Sequence, residues 1–230
     1  MNAAPSASGR VIAVTGLARE ARIAEGEGVH AVIGGGDETG LSDTLRRAVA
    51  QGAAGIISFG IAGGLDPRLP AGTHIVASSV ICASGVTPTD ADWSQRLLSA
   101  RPDAVHAPIL GVDEPVTGPI GKQRKFRRTG AVAVDMESHI AAAAATGHGL
   151  PFAVFRVVAD PAHQKLPRAA LGGMRDDGSL DRLAVMRAML RAPAEIAGLI
   201  AVARHTLVAR LALTRAHRDL GRGFGLADFG

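Results

Sequence analysis

Two short apolar runs, each ending abruptly in carboxylates, do most to restrict how this chain can fold. AVAVDMES occupies 131–138 and PFAVFRVVAD occupies 151–160. Their length and Val/Phe content are those of strands buried on both faces. One such strand delivers Asp135 and Glu137 to its tip, and the other delivers Asp160. In open α/β sheets, ligands bind outside the carboxyl ends of the strands.

The rest of the chain alternates in the same manner. RVIAVTG (10–16), HAVIGGG (30–36), AGIISFG (54–60), HIVASSVIC (74–82) and HAPILGV (106–112) read as further strands. Helices are expected from 18, over 38–52, from a cap at Asp90 to about Leu98, and from the turn at 113–123. In the second of these, Leu41, Leu45, Ala48 and Val49 recur at helical spacing and Gly52 supplies a stop. An Ala-rich helix covers Ile140 to Ala145, and helical patterning resumes at Leu180, breaks at Pro193 and runs on from Ala194 to about Arg215. This order predicts an α/β fold: a single-domain three-layer sandwich with a central, mostly buried mixed sheet flanked by helices. The domain is expected over 10–216, between a small polar disordered tail (1–9) and a C-terminal tail (217–230). A chain of 230 residues suits one such domain.

Composition narrows the partners. Aromatic content is 3%, with no Tyr and one Trp, so the core must be aliphatic. The single cysteine, Cys82, excludes an intrachain disulfide and suits a reducing compartment. Its apolar surroundings in sequence predict a buried thiol. The net charge is +4, but the arginines are scattered and lack interleaved aromatics, so no nucleic-acid partner is expected. KQRKFRR (122–128), the densest basic stretch, reads as a solvated helix face. No apolar run reaches the roughly 18 residues of a membrane span, and VIAVTGLA (11–18) runs into Arg19 and Glu20 rather than forming a signal. A cytoplasmic protein is expected. The histidines show neither H-E-x-x-H nor a Cys/His cluster, so no metal is expected; His163 reads equally as a pocket residue and a surface-loop residue.

A third segment, GIISFGIAGGL (55–65), joins the two acid-tipped runs. Its small residues Gly60, Ala62, Gly63 and Gly64 suit a turn or a close backbone approach to a ligand. It holds no G-x-G-x-x-G and no Walker lysine. The three segments, in this order, resemble the nucleoside phosphorylase and nucleosidase family, whose pattern is a Gly-Gly loop, then V-E-M-E, then R-x-x-S-D. The likeness spans roughly residues 10–200 and is greatest to the hopanoid-associated phosphorylases. It implies cleavage of the bond between adenine and ribose, with adenosylhopane as substrate.

Such cleavage needs an acid for the leaving base and negative charge beside the cation-like sugar. The resemblance makes Asp160 the acid at the purine N7, and Glu137, with Met136 packed on the sugar, the grip on the ribose hydroxyls. It makes Glu20 the group that activates water. Asp135, Gly60, Ile61, Ala62, Gly63, Val116 and Ala159 complete the expected substrate contacts. From the residues alone, Glu137 also reads as a first-turn helix acid, and Glu20 as a surface partner of Arg19 or Arg22.

The departures bear on the nucleophile. The family's phosphate-binding arginine is replaced within Ser58–Gly63, which favours water, while inorganic phosphate as co-substrate stays open through Arg19, Arg22 or glycines 34–36. The serine before the acid is Ala159 here. Two alternatives share these motifs: a methylthioadenosine/S-adenosylhomocysteine nucleosidase and a non-catalytic nucleoside-binding protein. The resemblance also implies a homodimer without cofactor. The long C-terminal helix suits packing on the sheet, a partner subunit or peripheral membrane contact with a lipid-linked substrate.

Overall fold

The computed structural model describes residues 9–35, 38–166 and 196–226. Along the chain run β1 (Arg10–Thr15), α1 (Ala18–Ala24), β2 (Val29–Ile33), α2 (Glu38–Ala50), β3 (Ala53–Gly64), β4 (His74–Cys82) and β5 (Gly85–Pro88). Then come α3 (Ala91–Ala100), β6 (Val105–Gly111), α4 (Pro119–Thr129), β7 (Ala133–Asp135), α5 (Ser138–His148), β8 (Phe152–Asp160) and α6 (Ile196–Leu220), with a 3-10 turn over Arg222–Gly225.

The strands form one mixed eight-stranded sheet in the order β2-β1-β3-β7-β6-β4-β5, with β8 paired to both β3 and β4. β8 runs parallel to β3 and antiparallel to β4. Through β8, the strands β3, β7, β6 and β4 close into a ring, and the acid-bearing strand sits between its two longest neighbours.

Period-2 alternation divides the apolar residues between two cores. Ile12 and Val14 of β1 join Val154 and Val158 of β8 on one face, where Leu41 and Leu45 of α2 and Ala141 and Ala145 of α5 cover them. Val11 and Ala13 join Phe155 and Val157 on the other, under Trp93 of α3 and Ala209, Leu213 and Ala216 of α6. These are the layers of the expected sandwich. Asp90 caps α3 as its position predicts, its side chain accepting from the Trp93 N–H at 2.8 Å.

Several expectations change. Residues 61–64 continue β3 instead of looping, because Ile61 and Ala62 pair with Val157 and Val158 of β8 and Gly63 and Gly64 pair with β7. β5, which no apolar alternation announced, forms an exposed hairpin with β4. Cys82 near that hairpin is half-buried rather than buried. The C-terminal tail expected from 217 is instead structured through 226: α6 continues to Leu220, Phe224 is buried, and its carbonyl accepts the Trp93 indole N–H at 2.8 Å. The Phe59 ring lies tilted against that of Phe224, with ring centroids 4.9 Å apart. Residues 1–8 of the expected N-terminal tail, and the helical pattern over 180–193, lie outside the described residues.

Candidate active site

A cavity of about 220 Å³ opens where β3, β7 and β8 end. Its lining includes Glu20, Ile61, Ala62, Gly63, Val116, Asp135, Met136, Glu137, Ala159 and Asp160, all singled out by sequence. Leu17, Val112, Pro115 and Leu166 add apolar wall.

Gly60 does not line it. This glycine has φ of +155°, and a Cβ there would stand 2.8 Å from both Arg156 Nη1 and Glu20 Oε2. Its missing side chain makes room for these two groups behind the cavity.

Glu20 faces inward, not toward Arg19 or Arg22, which are exposed. Only 1% of it is accessible. Its Oε2 accepts the N–H groups of Gly16 and Leu17 at 3.0 Å each, and Oε1 accepts that of Ile61 at 3.0 Å. A carboxylate offers about four acceptor positions, so three fixed N–H donors orient it and leave one for another partner. Burial raises its pKa, against the opposing pull of Arg156 and these N–H groups.

Glu137 precedes α5 and is also buried. Glycines from two other strand ends make its space. A Cβ at Gly16 would approach its Oε1 to 2.9 Å, and one at Gly34 would approach its Cγ to 2.9 Å. Gly34 and Gly35 therefore serve packing; their N–H groups donate to the carbonyls of Thr15 and Gly16 and hold no anion. Burial pushes the Glu137 carboxyl up to about 7, with the like charges of Asp135 and Glu20 adding to the rise and Arg156 resisting it.

Two residues to which sequence reading gave no role organise these acids. Arg156 is fully buried. Its Nε pairs with Asp135 Oδ2 at 2.7 Å and its Nη2 with Glu137 Oε2 at 3.3 Å. Nη2 also donates to Ser58 Oγ at 2.6 Å, and Nη1 to the Ile61 carbonyl at 3.2 Å. The signal was present: an arginine inside a nine-residue strand, in step with Asp160 and with the core residues Val154 and Val158. Asp135 is correspondingly tied into the wall of the cavity. Its carboxylate is held by Arg156, by the Ser138 N–H at 3.0 Å and by the Ser138 hydroxyl.

The second is Lys122, which corrects the reading of KQRKFRR as wholly solvated. Gln123, Arg124, Arg127 and Arg128 are exposed, but Lys122 is 0% exposed and pairs with Asp160 Oδ2 at 2.5 Å. Phe126, one helical turn on and packed against a small core with Leu110 and Val134, marks this inward face. Burial raises the Asp160 pKa, and Lys122 opposes the rise. His163, beyond Asp160, is exposed and does not line the cavity. Among the described residues, no group of His, Cys, Asp and Glu is arranged to hold a metal, and no helix is long and apolar enough to cross a membrane.

The motifs, fold and cavity converge on one class. A family model described as the phosphorylase superfamily matches residues 35–191, and the chain belongs to that superfamily. Its fold is similar to that of 5′-methylthioadenosine/S-adenosylhomocysteine nucleosidase from Helicobacter pylori, at TM-score 0.61 and 15% identity, covering 80% of this chain and 98% of that one. S-adenosylhomocysteine nucleosidase from Streptococcus pyogenes, in complex with 5-methylthiotubericidin, gives TM-score 0.61 and 16% identity over 89% and 99%. Futalosine hydrolase of Helicobacter pylori gives 0.57 and 16% over 80% and 97%. No curated protein matches the sequence.

Proposed function

We propose that the protein cleaves the N-glycosidic bond of an adenine nucleoside with water as nucleophile. One observation carries the reading: Asp160, Glu137 with Met136, and Glu20 line a single cavity. In this reading, protonated Asp160 gives its proton to N7 of the base. The bond from C1′ to the base breaks, and its electron pair leaves with the purine. Glu137 accepts hydrogen bonds from the ribose hydroxyls and stabilises the positive charge growing on the sugar. Water bonds to C1′ and passes a proton to Glu20, the carboxylate with an acceptor position left over.

The charge balance supports water over phosphate. Glu20, Asp135, Glu137 and Asp160 line the cavity, while Arg156 in its lining and Lys122 behind Asp160 are already paired with three of these acids. A phosphate dianion would meet acids without an uncommitted cation.

For the substrate we propose adenosylhopane, on the resemblance to the hopanoid-associated phosphorylases. The apolar lining of Leu17, Val112, Pro115, Val116 and Leu166 supports a substrate with an apolar substituent. Ile200, Leu207, Val208 and Leu211 of α6 expose apolar surface, which supports contact with a lipid surface or a second copy. The similarity in fold to methylthioadenosine nucleosidases supports methylthioadenosine as the rival substrate.

Adenine release from both compounds, with and without inorganic phosphate, tests this. Release from adenosylhopane without phosphate is expected. A strict phosphate requirement overturns water as nucleophile, and activity on methylthioadenosine alone overturns the hopanoid reading. Asp160→Asn is expected to bind adenine and not turn over; a wild type that binds adenine yet cleaves no adenosyl compound leaves a binding protein.

A further inference from the structure

We propose that Lys122 is a positioning residue that fixes the Asp160 carboxylate and sets its acidity. The inference rests on the reading of Asp160 as the acid. Lys122 lies in the first turns of α4, wholly out of solvent. Its Nζ donates to the Asp160 carbonyl at 3.0 Å, to the Pro161 carbonyl at 3.0 Å and to Asp160 Oδ2 at 2.5 Å. An ammonium has three N–H groups, and all three are used within two consecutive residues. Burying this charge is costly, and a buried ion pair is weak evidence for stability by itself. A role beyond packing accounts for it better.

That role follows from geometry. Lys122 anchors Oδ2, and among the described residues no other side chain donates to this carboxylate. Oδ1 is left to meet the base. A Cβ at Gly63 would stand 3.2 Å from Oδ1 and 3.3 Å from Oδ2, so the β3 backbone walls the carboxylate closely on that side. Residue 159 is alanine and has no hydroxyl to orient its neighbour. The orientation comes from α4, through Lys122.

Acidity follows from charge. Burial makes Asp160 hold its proton, and the ammonium makes it readier to release one. Other charged groups near the acid stand farther off. Glu20 from α1, Asp135 from β7, Glu137 ahead of α5 and Arg156 within β8 line the same cavity. His163 and Lys165 after β8, and Arg124, Arg127 and Arg128 on α4, are exposed. The acid works only when protonated, so activity is complete below its pKa and is lost as pH rises through it. Removing the ammonium raises that pKa and moves the alkaline limb of the profile upward.

Two measurements test this. The first needs no substrate: the carboxyl carbon of Asp160, assigned with Asp160→Asn, is titrated by NMR in the wild type and in Lys122→Gln. The titration should move up by about one pH unit or more in the variant, and in the wild type the Lys122 Nζ signal should follow it. A wild-type Nζ signal indifferent to the Asp160 titration overturns the proposal even if the variant fails to fold. The second is the pH dependence of adenine release from adenosylhopane and methylthioadenosine. Lys122→Gln and Lys122→Met should lose ~10- to 100-fold in kcat, with KM nearly kept and the alkaline limb displaced upward. A folded variant with reduced kcat and an unmoved limb shows a merely structural lysine. Wild-type turnover by Asp160→Asn instead sinks the reading of the acid itself.

Discussion

Arg156 Nε lies 2.7 Å from Asp135 Oδ2, and its Nη2 lies 3.3 Å from Glu137 Oε2. One buried cation thus ties an acid held in the structure by Ser138 to a second acid that lines the cavity. Arg156→Met leaves both carboxylates buried without their partner. We expect a loss of about 3–5 kcal/mol in unfolding free energy, measured by urea denaturation at neutral pH. A loss under about 1 kcal/mol would show that the pair is screened like a surface bridge.

Glu137 predicts a pH dependence of stability. Its carboxyl is raised from 4.5 to about 7 in the folded protein. The folded state therefore binds its proton more tightly than the unfolded chain does. Its contribution to stability is complete below the unfolded value and is lost as pH rises through the folded one. Unfolding free energy should fall between pH 5 and 8, and Glu137→Gln should flatten that slope. Thermal melts of both proteins across this range check it; parallel slopes would contradict the assignment.

For Glu20, the three N–H donors make amide replacement informative. Glu20→Gln offers one acceptor oxygen and an NH2 where the carboxylate received Gly16, Leu17 and Ile61. We expect kcat to fall ~100-fold or more, with substrate affinity changed little. Single-turnover kinetics alongside equilibrium binding separate the two effects. Weakened binding at unchanged turnover would remove Glu20 from the chemistry.

Gly34 tests how tightly Glu137 is seated. An alanine Cβ would stand 2.9 Å from Glu137 Cγ and 3.2 Å from Leu41 Cδ2. The side chain must shift, and displacement of a positioning group by about 1 Å can cost ~100-fold. Gly34→Ala should lower kcat/KM at least ~10-fold while the protein remains folded by circular dichroism. Unchanged kinetics would place the ribose elsewhere.

Every strand but the exposed β5 was legible, because alternation and buried runs report directly on a sheet covered on both faces. Their tips gave Asp135, Glu137 and Asp160 for the same reason. Glu20 was legible only through resemblance, since a Glu between two arginines reads equally well as surface. What escaped was pairing at long range. Lys122 and Asp160 stand 38 positions apart, and nothing local distinguishes this lysine from its exposed neighbours except its register with Phe126. Arg156 sat in plain view within an apolar run, but its meaning depends on α5 delivering Glu137 and Ser138 opposite it. The extension of β3 through 61–64 escaped because glycines signal turns unless a partner strand is known.

Burial of Phe224 beneath Trp93 and Phe59 has a consequence for biosynthesis. The core on that face is closed by residues 209–224, the last described part of the chain. A nascent polypeptide that has not yet extruded them has its sheet strands in hand but leaves an aromatic face wet. Domains synthesised from the N-terminus fold as units, so this one completes its second face only once α6 and the turn after it have been made. A premature stop in α6 therefore endangers solubility before it ever reaches the chemistry.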